Sequence, residues 1–351
     1  MMSFRADLLT SPVPTAIARL VSQVDELKGR QEVYRNQTPQ VLQALLKVAM
    51  VQSTESSNRI EGIQVPGPRL RSLMAQKSAP ANRSEGEVAG YRDVLATIHA
   101  SHDHIDLEPN VILQLHRDLF RYVASEGGRW KMADNTIDDV LPDGTHVVRF
   151  RTVPAVATPH AMEDLCKGLR QMSERADVLP LLVYSAFVLD FLCVHPFRDG
   201  NGRMARLLTL LLLYEGGYEV GRYISLERIV EESRESYYES LAASSRGWHE
   251  GSHSLQPWWE YFLGVVAAAY REFESRVGTL ATGRGAKSEQ VRRTVQNHIG
   301  VFTISELERH CPGVSRDLIR TVLEQMRTDG LVMCMERGRG ARWRKCGNGN
   351  E

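Results

Sequence analysis

"HPFRDGNGRMAR", residues 195–206, sets a histidine, an acidic residue, a Gly-Asn-Gly turn and three arginines within twelve positions. The apolar run "VLPLLVYSAFVLDFLCV" (178–194) precedes it and the helical pattern "GRMARLLTLLLLYEGGY" (202–218) follows. The stretch is therefore a loop between the buried end of one helix and the start of the next. "GNGR" then opens a helix, where free backbone N–H groups and the helix dipole attract anions and glycines let a phosphate approach closely. Arg203 and Arg206 lie three apart, on one face of that helix, and are suited to clamping phosphate oxygens. Asp199 is a hard oxygen donor of the kind that brings Mg2+ to a site together with substrate phosphates. His195 is a natural general base near neutral pH. Alone, a histidine before proline reads as a core residue and a GxG as a turn. Together they are the parts of a phosphoryl- or nucleotidyl-transfer site.

The rest of the chain is compatible with an enzyme of this kind. Its 351 residues, 42% hydrophobic, are enough for two or three domains with real cores. Lys plus Arg equals Asp plus Glu at 43 each, so no global charge draws the molecule onto nucleic acid or acidic lipid. Cys166, Cys193, Cys311, Cys334 and Cys346 are scattered without a CxxC pair, which predicts reduced thiols and a cytoplasmic setting rather than a zinc site or disulfide framework. The opening residues lack a continuous apolar segment, and the run 178–194 is short for a membrane span and carries Pro180 and Asp190. That run is read as a core helix, and no membrane partner is expected.

Helical periodicity dominates, so the fold class is mainly α. "PQVLQALLKVAMVQSTESSNRIEG" reads as a helix from Pro39 stopped by Gly62. "RSEGEVAGYRDVLATIHAS", "EPNVILQLHRDLFRYV" and "TPHAMEDLCKGLRQMSERA" are amphipathic helices, as are "SLERIVEESRESYYESLAASS" and "SLQPWWEYFLGVVAAAYREFESRV". "NTIDDVLPDGTHVVRFRTV" is a hairpin around a Pro-Asp-Gly turn. "ATGRGAKSE" (281–289) is glycine-rich and aperiodic, the composition of a linker. Beyond it, three short helical patterns and two β-prone runs predict a winged helix-turn-helix domain at 290–346. Residues 287–347 hold twelve Lys/Arg against seven Asp/Glu. Arg316 and Arg320 on the recognition helix, with Arg337, Arg339 and Arg342 on the wing, are candidates for DNA contact. A dimerisation or target-docking module is the equal alternative.

The twelve-residue stretch resembles the signature of the Fic family (filamentation induced by cAMP), HPFx(D/E)GNGRxxR, and matches it at every specified position. The resemblance implies a helical Fic core at 106–280 with the hairpin as a flap that aligns a target. It implies transfer of AMP from ATP, with Mg2+, to a Ser, Thr or Tyr hydroxyl of a target protein, the enzyme itself included. By the same resemblance His195 deprotonates the hydroxyl, Phe197 anchors the loop, and Asp199 holds Mg2+ between the α- and β-phosphates. Gly200, Asn201 and Gly202 form the anion nest, Arg203 contacts phosphate oxygens, and Arg206 takes the γ-phosphate. The kinase-like Doc branch has a lysine where this chain has Gly202, so phosphorylation is disfavoured; UTP and CDP-choline are other donors in the family.

"SNRIEG" (57–62) resembles the family's inhibitory motif (S/T)xxxE(G/N). This implies that residues 1–105 are an N-terminal helical region whose inhibitory helix places Glu61 against Arg206, displacing the γ-phosphate, with Ser57 steadying the carboxylate. "ESYYESL" (235–241) resembles the base-pocket region, with Tyr238 the first choice as adenine neighbour and Tyr237 the second. The expectation is an autoinhibited protein adenylyltransferase. Its alternative is a nucleotide-sensing, DNA-binding transcriptional regulator, disfavoured because a sensor would not need His195. Oligomeric state is open, a homodimer included.

Overall fold

The computed structural model describes residues 2–37, 39–123, 127–140, 144–281, 286–297, 301–311, 314–336 and 341–346. Two compact units divide the chain, 1–274 and 275–351. In the first, the helices are α1 (Ala6–Leu9), α2 (Thr15–Gln37), α3 (Pro39–Ile60), α4 (Gly67–Met74), α5 (Arg83–Ser101) and α6 (Pro109–Leu119). The antiparallel hairpin β1 (Thr136–Val140) and β2 (His146–Arg151) follows, then α7 (Thr158–Ser173), α8 (Pro180–Val194), α9 (Asn201–Glu215), α10 (Leu226–Glu232) and α11 (Arg234–Ser245). The long α12 (Gln256–Ala281) runs across the division between the units. The protein is mainly helical, as its periodicity predicts.

Helix α8 is the axis of the first unit. Every residue from Leu181 to Val194 is buried, and α7 and α9 pack against it. Asp190 sits in the middle of this apolar helix, where an unpaired carboxylate would cost several kcal/mol. It accepts hydrogen bonds from the backbone N–H of Ser3 (3.1 Å) and from Trp248 Nε1 (2.6 Å), and burial still pushes its pKa up to about 6. Helix α3 packs on α10, and α5 packs on α3, α6 and α9. The N-terminal region is thus packed on the rest of the unit, although Leu70, Leu73 and Val88 form a small apolar cluster within it. No helix among the described residues is long and apolar enough to cross a membrane.

Two sequence expectations are corrected within this unit. Residues 225–245, read as one helix, break at Ser233, whose hydroxyl donates to the Ile229 carbonyl (2.7 Å) and meets the Tyr261 hydroxyl (2.9 Å). The resulting turn starts α11 afresh and points Tyr237 inward. The region 108–123, read as helical to Val123, ends its helix at Leu119. Of the hairpin turn, Leu141, Pro142 and Asp143 lie outside the described residues.

The second unit contains α13 (Ala286–Asn297), β3 (Val301–Thr303), α14 (Ile304–His310), α15 (Arg316–Thr328), β4 (Val332–Glu336) and β5 (Arg342–Lys345). The strands form an antiparallel sheet in the order β3-β5-β4. Val291 and Val295 of α13, Phe302, Leu307, Ile319, Leu323 and Trp343 share one core. Lys287, Ser288 and Glu289, read as linker, belong to α13 because that helix buries Val291 and Val295 one turn apart. Sequence reasoning missed β3, which is too short to show alternation; the Thr303–Glu306 capping box marks where it hands over to α14. Arg337 and Arg339, expected on the wing, lie outside the described residues.

Candidate active site

The loop 195–200 starts where α8 ends. His195 caps that helix with a φ of +50°, a left-handed conformation costly for a residue with a Cβ, and its N–H still bonds the Phe191 carbonyl (2.9 Å). Such a conformation persists only when its surroundings over-determine it. They do so here. Phe197 is fully buried, lies parallel to the His116 ring at 3.6 Å and stacks near Trp130. The Asn201 side chain accepts from Phe197 N (2.9 Å) and donates to Phe197 O (2.8 Å), closing the loop on itself. From beneath, the Lys131 ammonium donates to Val194 O (3.0 Å), Asn135 Oδ1 (2.8 Å) and Thr152 Oγ1 (2.8 Å). His116 Nδ1 accepts from Gly128 N (2.9 Å), which leaves the proton on Nε2 to donate to Asp199 O (3.1 Å).

Sequence reading marked neither Lys131 nor His116, because each acts through backbone atoms of a segment far away in the chain. Both bear the imprint of burial: the Lys131 pKa is pushed down to about 8 and that of His116 to about 4. His195 is likewise pushed down to about 4, by burial first and by the Lys131 charge as well. At neutral pH its imidazole is uncharged. Its Nδ1 lies 3.4 Å from the Leu192 carbonyl, an arrangement that keeps the proton there and leaves the Nε2 lone pair free to act as a base.

His195 lines a cleft with Glu61, Gly202, Arg206, Phe150 and Tyr238. Gly200, at φ +80°, is the N-cap of α9. Arg206, almost fully buried, donates Nε to Ser57 Oγ (2.8 Å) and Nη2 to both Ser57 O (2.9 Å) and Glu61 Oε1 (2.8 Å). The expected pairing of Glu61 with Arg206 is therefore present across 145 positions of sequence. Ser57, expected on the Glu61 carboxylate, instead grips Arg206, since the last turn of α3 points its hydroxyl at the guanidinium. A Cβ on Gly202 would collide with the Glu61 carboxylate, so glycine is required for that carboxylate to come so close to α9.

Other expectations are also redirected. Arg203 does not line the His195 cleft: it is 1% exposed, with Nη1 donating to Glu87 Oε2 (2.6 Å) and Nη2 3.4 Å from Asp199 Oδ1. Three residues along a helix rotate the side chain by about 60°, enough to aim Arg203 at α5 and Arg206 at α3. Asn201 spends its side chain on Phe197, so an anion would meet only its backbone. The Asp199 carboxylate is half exposed and lines a second cleft with Arg83 and Arg198. Tyr238 lines the His195 cleft half-buried, with the Arg149 and Arg234 guanidiniums at its ring. Tyr237 also lines it, but is buried against Tyr238, Trp258 and Tyr261. The β1–β2 hairpin is anchored at its base: His249 stacks on Phe150, and the His249 ring contacts the Arg151 carbonyl (2.6 Å).

The model of the Fic/DOC family matches residues 106–213. The chain is 26% identical over 218 residues to the protein adenylyltransferase Fic of Nematostella vectensis, covering 58% of this chain and 45% of that protein. It is 28% identical over 207 residues to the protein adenylyltransferase Fic of Drosophila melanogaster, covering 57% and 38%. It thus spans less than half the length of these curated relatives. A crystal structure of a Fic family protein from Desulfovibrio desulfuricans G20 shares its fold, with a TM-score of 0.62, 24% identity and coverage of 97% of this chain and 98% of that one. Fic-1 from C. elegans aligns with a TM-score of 0.58 at 20% identity, covering 76% and 74%. The loop, the buried phenylalanine and the helix start described above all fall within residues 106–213, the segment that matches the Fic/DOC family.

Proposed function

We propose that the protein is an adenylyltransferase that moves AMP from ATP to a hydroxyl side chain of a target protein and is held at rest by Glu61. The observation that carries this reading is the buried Arg206, bound by Ser57 and Glu61 at the edge of the cleft that contains an uncharged His195. In the reaction, a target hydroxyl oxygen attacks the α-phosphorus, the bond to pyrophosphate breaks, and the hydroxyl proton passes to His195 Nε2. The start of α9 offers backbone N–H groups for phosphate oxygens, and Arg206 offers its guanidinium to the γ-phosphate once Glu61 withdraws. Asp199 suits Mg2+, being a single exposed carboxylate of the kind this ion takes alongside substrate phosphates. Bound there, the ion would neutralise phosphate charge. Tyr238 is placed to flank the base, and the exposed β2 residues Val147 and Val148 lie on the flap that would align the target.

At rest, Glu61 holds the place of the γ-phosphate, so ATP binds poorly or with its α-phosphate out of line. Loss of in-line geometry is sufficient to silence transfer, since alignment accounts for roughly 7–11 kcal/mol in the best intramolecular cases. The test is transfer from ATP labelled at the α- or γ-phosphate, in wild type and Glu61→Gly. Label from the α-position alone, strongly raised in the variant, supports the reading. Equal transfer by both forms at saturating ATP and Mg2+ removes the autoinhibition, and no transfer from either removes the enzyme.

For the second unit, three helices and a three-stranded sheet support a winged-helix reading, with α15 as the recognition helix. Arg316 and Arg320 are exposed on it but sit beside Glu308 (2.6 Å) and Asp317 (3.4 Å), surface pairs that DNA phosphates would have to outcompete. A salt-dependent gel shift weakened by Arg320→Ala would establish DNA binding.

A further inference from the structure

Asp199 does not stand alone. Its two oxygens and those of Glu87 form a closed ring with two arginines. Arg203 Nη1 bonds Glu87 Oε2 (2.6 Å) and Arg203 Nη2 approaches Asp199 Oδ1 (3.4 Å). Arg83 Nε bonds Glu87 Oε1 (2.6 Å) and Arg83 Nη2 bonds Asp199 Oδ2 (3.0 Å). Arg83 and Glu87 come from α5, outside the segment 106–213. The members differ sharply in exposure: Arg203 is 1% and Glu87 4% exposed, Asp199 50% and Arg83 64%. Half of the ring is a fixed strut and the other half opens on the second cleft, which Arg83, Arg198 and Asp199 line.

Arg83 is also badly placed for the helix that carries it. It is the first residue of α5, where the dipole disfavours a cation, and an arginine preceding its glutamate by four residues is the weaker orientation of such a pair. Helix stability therefore gives no reason for an arginine here, whereas its reach to Asp199 does. Resting on the adenylyltransferase reading above, we infer that Arg83 is a further ligand for the phosphates of the nucleotide, capping Asp199 while the site is empty and turning to phosphate oxygens when a divalent cation takes that carboxylate. A divalent cation on Asp199 would repel the guanidinium that now bonds Oδ2 and weaken its hold there. Displaced, Arg83 stays tethered by Nε to Glu87, so its Nη donors remain at the cleft and face the charge that the cation brings with it. Glu87 is the positioning residue that holds Arg83 and Arg203 in common.

ADP tests this without interference from Glu61, because it carries no γ-phosphate. Calorimetric titration of the full chain with ADP and Mg2+, and separately with adenosine, is compared for wild type, Arg83→Ala and Arg83→Lys. Loss of one charge-assisted contact predicts about tenfold weaker ADP binding in Arg83→Ala, unchanged adenosine binding, and an intermediate ADP affinity in Arg83→Lys. ADP affinity unchanged in Arg83→Ala, or adenosine affinity lowered in step with it, overturns the inference while leaving the transferase reading intact. Failure of the wild type to bind ADP overturns both.

Discussion

Arg203 and Arg206 stand one helical turn apart on α9, and each meets a glutamate from the N-terminal region. Their pairs are nevertheless unlike. Glu87 is 4% exposed and locked between two arginines, whereas Glu61 is 33% exposed and follows the last turn of α3. A buried pair cannot separate without leaving an uncompensated charge, while a carboxylate at a cleft edge can leave and be solvated. The same chemistry thus makes a brace on one face of the helix and, on the function proposed above, a removable stop on the other. Without Glu61, Arg206 would still be held by two hydrogen bonds to Ser57.

The largest effect should come from breaking the brace. Glu87→Ala leaves Arg203 buried without its partner, and such losses cost about 3–5 kcal/mol. Glu61→Ala should cost less, about 1.5–3 kcal/mol, because Ser57 still holds Arg206 by two hydrogen bonds. Denaturant unfolding of the two variants checks this, and similar losses in both would erase the distinction. An effect no larger than that of Glu61→Ala is expected from Ser57→Ala, which removes one hydrogen bond to Arg206 worth about 1.5–3 kcal/mol when the donor is charged. It should partly release transfer, to less than Glu61→Gly, because Glu61 then holds a less firmly oriented arginine. Transfer rates of the three forms on one target decide it.

The smallest effect is a pH shift. His195 must be unprotonated to act, so transfer should fall as pH drops through about 4, not near the ordinary histidine value of 6.5. The Glu61 charge raises the His195 pKa slightly against the larger lowering by burial. Glu61→Gln should therefore move the acid limb to lower pH, while a variant at Ser57 leaves it in place. A pH–rate profile over the range where the protein stays folded reads this directly; movement to higher pH would contradict it.

The helices α5, α7 and α9 were legible because their apolar residues recur at helical spacing, α8 because its apolar run is short for a membrane span and so reads as a core helix, and the break at Gly62 because its φ of +78° suits glycine. Local spacing also placed His195 in a loop and Gly200 before a helix start. It missed the break at Ser233, since the hydroxyl that makes it bonds Tyr261 from another helix. It missed β3, whose three residues become a strand only beside β5.

By itself the sequence determined the helical class, the loop between two buried helices, and the residue types suited to phosphate chemistry, all of which depend on neighbours within a few positions. Only the tertiary structure decided what those residues face. It turned Ser57 to Arg206, closed Asn201 on Phe197, and placed Lys131 and His116 under the loop. It also separated Arg203 from Arg206 by giving one a buried partner and the other a partner at the cleft edge. The physical reason is that a side chain's direction on a helix follows from its own backbone, but burial and ion pairing depend on helices that may be more than a hundred residues away, and these set both a charge's cost and its freedom to move.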